Sequence, residues 1–203
     1  MPLSQRQKLS ARRTAIQQAR EILAQQPIFL DTETTGIDQH AEVIEIAVLD
    51  REGTPLLDTL IRPQSPIPWQ AESVHGIANE MVRDAPTFAE VWPSLNALLQ
   101  QHPVVIYNRA FDLRLIAQTA RRYQIVAMQP LVVHCAMVMY AAFYGQWDED
   151  YEAFIWQRLG EAAAQIGLKF PDTLTPHRAY ADADMCRQVV LYLAKKYHRR
   201  VKR

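Results

Sequence analysis

The segment 27–36, PIFLDTETTG, constrains the fold more strongly than any other part of the chain. A short apolar run that is closed by a glycine is typical of a buried strand. Because side chains two positions apart leave a strand on the same face, Asp31 and Glu33 are expected to point the same way. Two neighbouring carboxylates repel each other unless a proton or a cation lies between them, so this pair indicates a divalent-metal site. The alternative is a polar strand end at which Asp31 only satisfies a turn.

Length and composition are typical of one globular domain with a sizeable core. The chain has 203 residues, of which 49% are hydrophobic, and single domains commonly contain about 100–200 residues. No run of about 18 apolar residues is present, so no membrane association is expected. The N-terminal stretch is polar and lacks a signal-peptide core, which predicts a cytoplasmic location. Cys135 and Cys186 lack CxxC spacing, and they are therefore expected to be reduced structural thiols.

Charge is distributed unevenly along a chain whose formal net charge is zero. Basic residues dominate the segments 1–26 and 187–203, which leaves the middle of the chain acidic. Basic ends around an acidic centre are suited to hold a polyanion while metal ions neutralise the carboxylates. The alternative is that both ends are solvated tails that only aid solubility.

Hydrophobic periodicity predicts an α/β protein. Residues 4–26 are predicted to form a helix outside the main sheet, with Leu9, Ile16, Ala19 and Leu23 near one stripe. The other predicted elements are strands at 42–50, 55–62, 103–107 and from 132, short helical turns at 70–75 and 79–83, and helices at 87–100, 110–123, from 136 and at about 178–198. Meandering strands followed by alternating helices and strands imply one mixed sheet.

A third carboxylate, Asp112, lies in the sequence NRAFD, directly after the apolar strand PVVIY and in the first turn of a predicted helix. Sites in α/β sheets lie outside the carboxyl ends of the strands, so Asp112 is a candidate partner of Asp31 and Glu33. The alternative is that a first-turn aspartate only interacts with the helix dipole. Asn108 is a candidate contact for a phosphate or a sugar, with helix capping as its alternative.

The sequence PHRAYADAD holds a histidine and two further aspartates near the C-terminus. His177 and Asp182 are five positions apart, which is about 140° around a regular helix, so they converge only if His177 precedes the helix. A histidine near a metal-bound carboxylate has a suitable pKa range to accept a proton from water. The alternative is an exposed loop histidine. Asp184 points roughly 200° away from Asp182, so at most one of the two is a ligand.

In this order and near these separations, DTETTG, NRAFD and HRAYAD resemble the three motifs of the DEDDh exonuclease family. That family includes the epsilon proofreading subunit of DNA polymerase III, exonuclease X and RNase T, and the resemblance extends from about residue 28 to residue 193. His75 lies in a segment similar to the family's HGI segment. The tyrosine subclass needs a tyrosine at position 178, where this chain has Arg178, so His177 places the chain in the histidine subclass.

The resemblance implies a ribonuclease H-like fold with one mixed five-stranded sheet flanked by helices. It implies that residues 27–203 form the exonuclease domain and that the basic helix within 1–26 packs on its core. The implied activity is 3′–5′ exonucleolytic hydrolysis of DNA to nucleoside 5′-monophosphates with two ions of Mg²⁺ or Mn²⁺. The implied metal ligands are Asp31, Glu33, Asp112 and Asp182, and the implied general base is His177. The implied substrate contacts are Thr34, Gly36, Ile37, His75 and Asn108, with Ile37 as a wedge between the last two bases.

Alternative functions on the same fold are an exoribonuclease that trims RNA 3′ ends, a ribonuclease H-type endonuclease, and a catalytically silent module that binds nucleic acid or a polymerase. The expected partner is nucleic acid, in particular single-stranded 3′ ends of DNA, with a DNA polymerase or another replication protein as a further candidate. The chain ends soon after its last helix without a clamp-binding motif, which favours a stand-alone nuclease. The acidic segment 145–154 and the N-terminal helix have no assigned role.

Overall fold

The computed structural model describes residues 2–126, 132–169 and 177–196. One five-stranded mixed sheet has the strand order β3-β2-β1-β4-β5. Its strands are β1 Ile28–Thr34, β2 Val43–Leu49, β3 Pro55–Leu60, β4 Val104–Ile106 and β5 Val133–Cys135. The first three strands form an antiparallel meander, and β4 and β5 run parallel to β1. The predicted mixed five-stranded sheet is therefore confirmed.

Helices cover both faces of this sheet. They are α1 Gln5–Ala24, α2 Trp69–His75, α3 Asn79–Val82, α4 Phe88–Gln101, α5 Arg109–Arg122, α6 Ala136–Tyr144, α7 Leu159–Gln165 and α8 Ala179–Lys195. One face packs against α1, α6 and α8, and the other packs against α4 and α5. Because both faces are covered, every residue of β2 is buried.

The alternation of side chains along β1 decides which helix its carboxylates meet. Phe29 belongs to the core beneath α1, α6 and α8, whereas Leu30 belongs to the core beneath α4 and α5. Asp31 and Glu33 are two and four residues after Phe29, so their side chains leave the strand on the same face as Phe29, which α8 covers. Thr32 is two residues after Leu30 and lies on the opposite face, towards α5, where its hydroxyl donates to the Asp112 carboxylate.

Helix α1 begins at a capping box in which the Ser4 side chain accepts a hydrogen bond from the Gln7 backbone. One face of its C-terminal half is buried, and Ile16 and Ala19 lie in the core as the periodicity predicts. The prediction for Leu9 is wrong, since this side chain is 46% exposed. The buried residues of α1 begin only at Ala15, and its first turns line an open groove with α6 instead of packing closely against it.

The helix predicted from residue 136 ends at Tyr144 and is followed by the acidic segment 145–154. This segment forms a two-stranded hairpin, β6 Trp147–Asp148 and β7 Ala153–Phe154. Gly145 ends α6 with a left-handed φ of 84°, and the Asp148 carboxylate accepts hydrogen bonds from two backbone N–H groups of the turn. The last helix, which was predicted to reach residue 198, ends at Lys195, and residues 197–203 lie outside the described part of the chain. Among the described helices, none is long and apolar enough to cross a membrane.

Candidate active site

Three carboxylates from two elements converge on the α8 face of the sheet. Asp31 and Glu33 extend from β1, and Asp182 lies in the first turn of α8, which packs on β1 and β2. Their ligand oxygens lie within 4.8 Å of one another. Clustered carboxylate oxygens are the ligands that hard divalent cations such as Mg²⁺, Mn²⁺ and Ca²⁺ prefer. The predicted pairing of the β1 carboxylates with Asp182 is therefore present in the structure.

Asp112 approaches this cluster from the opposite side of β1. It is 4% exposed in the first turn of α5, and its carboxylate accepts a hydrogen bond of 2.8 Å from the Thr32 hydroxyl. A helix-dipole role alone does not account for an aspartate so deeply buried, because burial of a carboxylate is costly without a partner. Asp112 is not one of the three carboxylates that lie within 4.8 Å of one another, but after burial its charge is the largest influence that raises the pKa of Asp31.

The electrostatics of the cluster favour uptake of positive charge. Burial, followed by the charges of Asp112, Asp182 and Glu33, raises the pKa of Asp31 well above its usual range. Burial and the charge of Asp182 raise the pKa of Glu33 to about 8. Burial likewise raises the pKa of Asp112 to about 7. Carboxylates that hold protons so tightly must be neutralised, and a divalent cation does this directly, so these residues fit such a cation.

Metal-free protein is expected to lose stability as the pH rises, and a divalent cation is expected to reverse this loss. The pKa of Glu33 rises from 4.5 to about 8 in the folded protein, so the folded state holds this proton more tightly than the unfolded state. The resulting stabilisation is complete below pH 4.5 and is lost as the pH rises towards 8. In chelator, we expect the Tm to fall by about 5 °C between about pH 5.5 and about pH 8.5.

Differential scanning fluorimetry in EDTA, Mg²⁺ or Mn²⁺ measures this effect. The rise in Tm on adding the cation should be larger at about pH 8.5 than at about pH 5.5, because protons compete for the carboxylates at low pH. Glu33→Gln protein cannot ionise at this position and serves as the control with a smaller pH dependence. A cation effect of equal size at both pH values would count against binding by these carboxylates.

His177 lies immediately before the N-cap residue of α8, Arg178. Burial raises the pKa of Asp182, and both the charge of His177 and a hydrogen bond from the His177 backbone N–H to the Asp182 carboxylate oppose this rise. The position before the helix agrees with the geometric condition that the sequence sets for convergence with Asp182. Asp184 instead accepts hydrogen bonds from Arg187 and Gln188, so of the two aspartates only Asp182 joins the cluster.

The loop after β1 presents one large apolar side chain to solvent. Thr34 is buried, and its hydroxyl donates to the Gly36 carbonyl at 2.7 Å, which shapes the start of the loop. Ile37 follows and is 79% exposed. An isoleucine this exposed, four residues after Glu33 in the chain, is available to contact a ligand rather than the core.

A stripe of polar side chains along α5 holds this loop by its main chain. Arg114, Gln118 and Arg122 are four residues apart and therefore lie on one side of the helix. They donate hydrogen bonds of 2.5–3.5 Å to backbone carbonyls within residues 37–41. The loop is thus fixed without using the Ile37 side chain.

His75 and Asn108 complete the predicted substrate contacts. His75 is 4% exposed, and its Nδ1 accepts a hydrogen bond of 3.0 Å from the Ile77 N–H. Burial lowers the pKa of His75, and the backbone of Thr34 acts against this shift. Because Nδ1 is the acceptor, the neutral ring carries its proton on Nε2, which is buried without a well-aligned acceptor among the described residues. Asn108 is exposed at the N-terminus of α5, and its side chain makes no capping bond to the described residues.

Sequence reasoning missed Glu45, which lies on β2 directly opposite Glu33. Its buried carboxylate accepts hydrogen bonds from the Arg178 guanidinium at 2.5–3.1 Å and from the Ala179 N–H at 2.9 Å. The signal was present as a lone acidic residue inside the otherwise apolar strand VIEIAVL. A charge at such a position needs a partner, but the sequence does not name it.

Comparison with known proteins identifies the family. The model of a family described as Exonuclease (RNase_T) matches residues 28–190. An uncharacterized exonuclease of Escherichia phage 186 is 37% identical over 187 residues, which cover 90% of this chain and 95% of the phage protein. The DNA polymerase III subunit epsilon of Escherichia coli K12 is 38% identical over 96 residues, which cover 42% of this chain and 40% of the subunit.

Solved structures share the fold. Exonuclease X in complex with 5′ overhanging duplex DNA has a TM-score of 0.60 at 24% identity, covering 81% of this chain and 88% of that one. The nuclease domain of 3′hExo, a DEDDh family member bound to rAMP, has a TM-score of 0.62 at 15% identity, covering 82% and 90%. Both have the ribonuclease H-like fold. With the matched family and the phage relative, this shows that the chain belongs to the exonuclease family as a hydrolytic 3′–5′ exonuclease of the DEDDh type.

Proposed function

We propose that this exonuclease shortens DNA from single-stranded 3′ ends and releases nucleoside 5′-monophosphates, using two ions of Mg²⁺ or Mn²⁺ and a histidine general base. The observation that carries the proposal is the convergence of Asp31, Glu33 and Asp182 within 4.8 Å, with His177 bonded to Asp182 at the start of α8. DNA is proposed as the substrate because relatives are DNA polymerase III epsilon subunits and a structural neighbour was solved with DNA.

Asp31, Glu33, Asp112 and Asp182 are the residues that would hold the cations. When bound, the cations would supply Lewis-acid activation of the attacking water and stabilisation of the leaving oxygen. Asp31 suits a shared ligand because Asp112 and Asp182 both act on its charge. The Thr32 hydroxyl holds the Asp112 carboxylate in one orientation, so its position is set before any substrate binds.

His177 is proposed to accept the proton of the attacking water. Its side chain is exposed, so the ring is able to approach a substrate, while its backbone bond to Asp182 keeps it beside the carboxylates. A positioned general base contributes about 10²- to 10⁴-fold to a rate. On this proposal the exposed ring would take the proton of a water at the solvent side of the cluster.

The remaining contacts are proposed to fix the terminal nucleotide. Ile37 would pack on a base face without reading its identity, since apolar and aromatic groups contact every base alike. The Nε2–H of His75, which lacks a well-aligned acceptor among the described residues, would donate to a sugar or phosphate oxygen. Asn108 would donate in the same way from the N-terminus of α5, and the Thr34–Gly36 turn would shape the backbone that faces the nucleotide.

A degradation assay on matched oligonucleotides tests this function. We expect 5′-labelled single-stranded DNA with Mg²⁺ or Mn²⁺ to give a ladder that shortens one nucleotide at a time, and we expect EDTA to stop it. Chromatography should identify nucleoside 5′-monophosphates as the product. Single-stranded RNA and duplex DNA of the same sequence should be degraded more slowly.

Other outcomes of this assay support the alternatives. Faster shortening of RNA would overturn the choice of DNA and would indicate a site that accepts the 2′-hydroxyl. Internal cleavage products at early times would indicate an endonuclease, and binding without cleavage would indicate a silent module.

A further inference from the structure

Glu45 and Arg178 form an ion pair that belongs neither to the carboxylate cluster nor to the general base. The Arg178 guanidinium donates from Nε to both Glu45 oxygens at 3.0 and 3.1 Å, and from Nη2 to Oε1 at 2.5 Å. The same carboxylate accepts the Ala179 N–H at 2.9 Å. Several hydrogen bonds therefore fix the start of α8 to β2, and a planar guanidinium permits little rotation about them.

The ion pair fixes the residue that follows His177, and Asp182 holds the backbone N–H of His177 itself. Arg178 is the next residue in sequence, and the His177 N–H donates to Asp182 one turn into the helix. The backbone of His177 has a φ of 58°, a left-handed conformation that is uncommon for residues other than glycine. Such a conformation persists only where the surroundings hold it.

Charge neutralisation alone does not explain the pair. The Glu45 charge raises the pKa of Glu33 whereas the Arg178 charge lowers it, so the two effects on the cluster oppose each other. A buried ion pair is often no more stabilising than apolar residues of similar volume. The contribution of the ion pair is therefore to hold the backbone of Arg178, the residue that follows His177, in one position on β2.

We propose that the Glu45–Arg178 ion pair is a positioning device that sets the place of His177 for proton transfer. The inference rests on the proposed function, in which His177 is the general base. Neither residue needs to contact the substrate, and both act through the backbone that joins Arg178 to His177.

A double-mutant cycle against His177→Ala tests the proposal. The double substitution Glu45→Gln with Arg178→Met removes the hydrogen bonds that hold Arg178 to β2 without leaving an unpaired buried charge. We expect it to lower kcat on single-stranded DNA about 100-fold, the scale of loss from a small misplacement of a catalytic group. In the His177→Ala background the same double substitution should lower kcat by less than about 3-fold, because the imidazole that the ion pair is proposed to position is absent.

Two further readouts separate positioning from folding and from charge. The affinity for Mn²⁺, measured by electron paramagnetic resonance, and the KM should each stay within about 3-fold of the wild type, because the cluster itself is unchanged. Arg178→Lys keeps the charge but loses the planar fork, so it should still lower kcat at least about 10-fold.

The matched control is the second arginine–carboxylate pair of α8, Asp184 with Arg187. Asp184→Asn with Arg187→Met removes a comparable pair away from His177, and kcat should stay within about 3-fold of the wild type, as for other independent sites. An equal fall of kcat in both His177 backgrounds, or a parallel loss of Mn²⁺ binding, would show a structural role and overturn the positioning proposal alone. Full activity of His177→Ala protein would overturn the general base, and the positioning proposal with it.

Discussion

Asp31→Asn protein is expected to lose exonuclease activity by at least about 10⁴-fold while it remains folded. Asparagine has nearly the same shape as aspartate, so the substitution removes one charge and little volume. Burial raises the pKa of Asp31, and the charges of Asp112, Asp182 and Glu33 raise it further, so all three other proposed ligands act on this carboxylate. Its loss should weaken cation binding and leave no alternative ligand in its place.

Shortening of labelled single-stranded DNA measures the loss of activity, and a Mn²⁺ titration measures the loss of cation binding. In chelator, the variant should be more stable than the wild type at about pH 8.5, because it lacks a buried carboxylate that the cluster destabilises. Asp184→Asn is the matched control, since Asp184 bonds to Arg187 and Gln188 instead of joining the cluster. Activity of Asp31→Asn protein near that of the wild type would remove the basis of the two-cation mechanism.

His177→Ala protein is expected to lose about 10²- to 10⁴-fold in kcat with little change in KM. The substitution removes the proposed proton acceptor but leaves Asp31, Glu33 and Asp182 in place. Cation binding should therefore persist, and this combination distinguishes a general base from a metal ligand. Single-turnover kinetics together with a Mn²⁺ titration measure the two properties separately.

The control for this prediction is His102→Ala. His102 lies at the C-terminus of α4, just before β4 begins, and so at the opposite end of the strand from Asn108. Its replacement should leave kcat within about 3-fold of the wild type, as expected for a residue independent of the site. If His177→Ala weakened cation binding as much as it lowered kcat, His177 would be a ligand and not a base.

The sequence predicts those parts of the site that depend on local periodicity. Asp31 and Glu33 share a strand face because strand side chains alternate, and this holds whatever packs against the strand. Asp112 follows a strand and begins a helix, which places it at the same sheet edge once β4 pairs parallel to β1. The catalytic and substrate-binding roles of these residues stay predictions until the experiments above are done.

Features that depend on tertiary register were not predictable in the same way. The position of Glu45 opposite Glu33 follows from how β2 pairs with β1, and its bond to Arg178 joins residues 133 positions apart. The hairpin of β6 and β7 has strands of two residues each, which are too short to show a period. Leu9 has the helical spacing of a buried residue, but periodicity identifies a face of a helix and not where its packing partners end.

The loop after β1 is anchored in a way that tolerates substitution of its side chains. Arg114, Gln118 and Arg122 hold residues 37–41 through main-chain carbonyls, which every amino acid at those positions provides. The Ile37 side chain is consequently under little constraint from the fold. With the role proposed for Ile37, a substitution at this one position would alter the preference for the last bases of a strand at little cost in stability, and substrate choice would evolve separately from the scaffold that supports it.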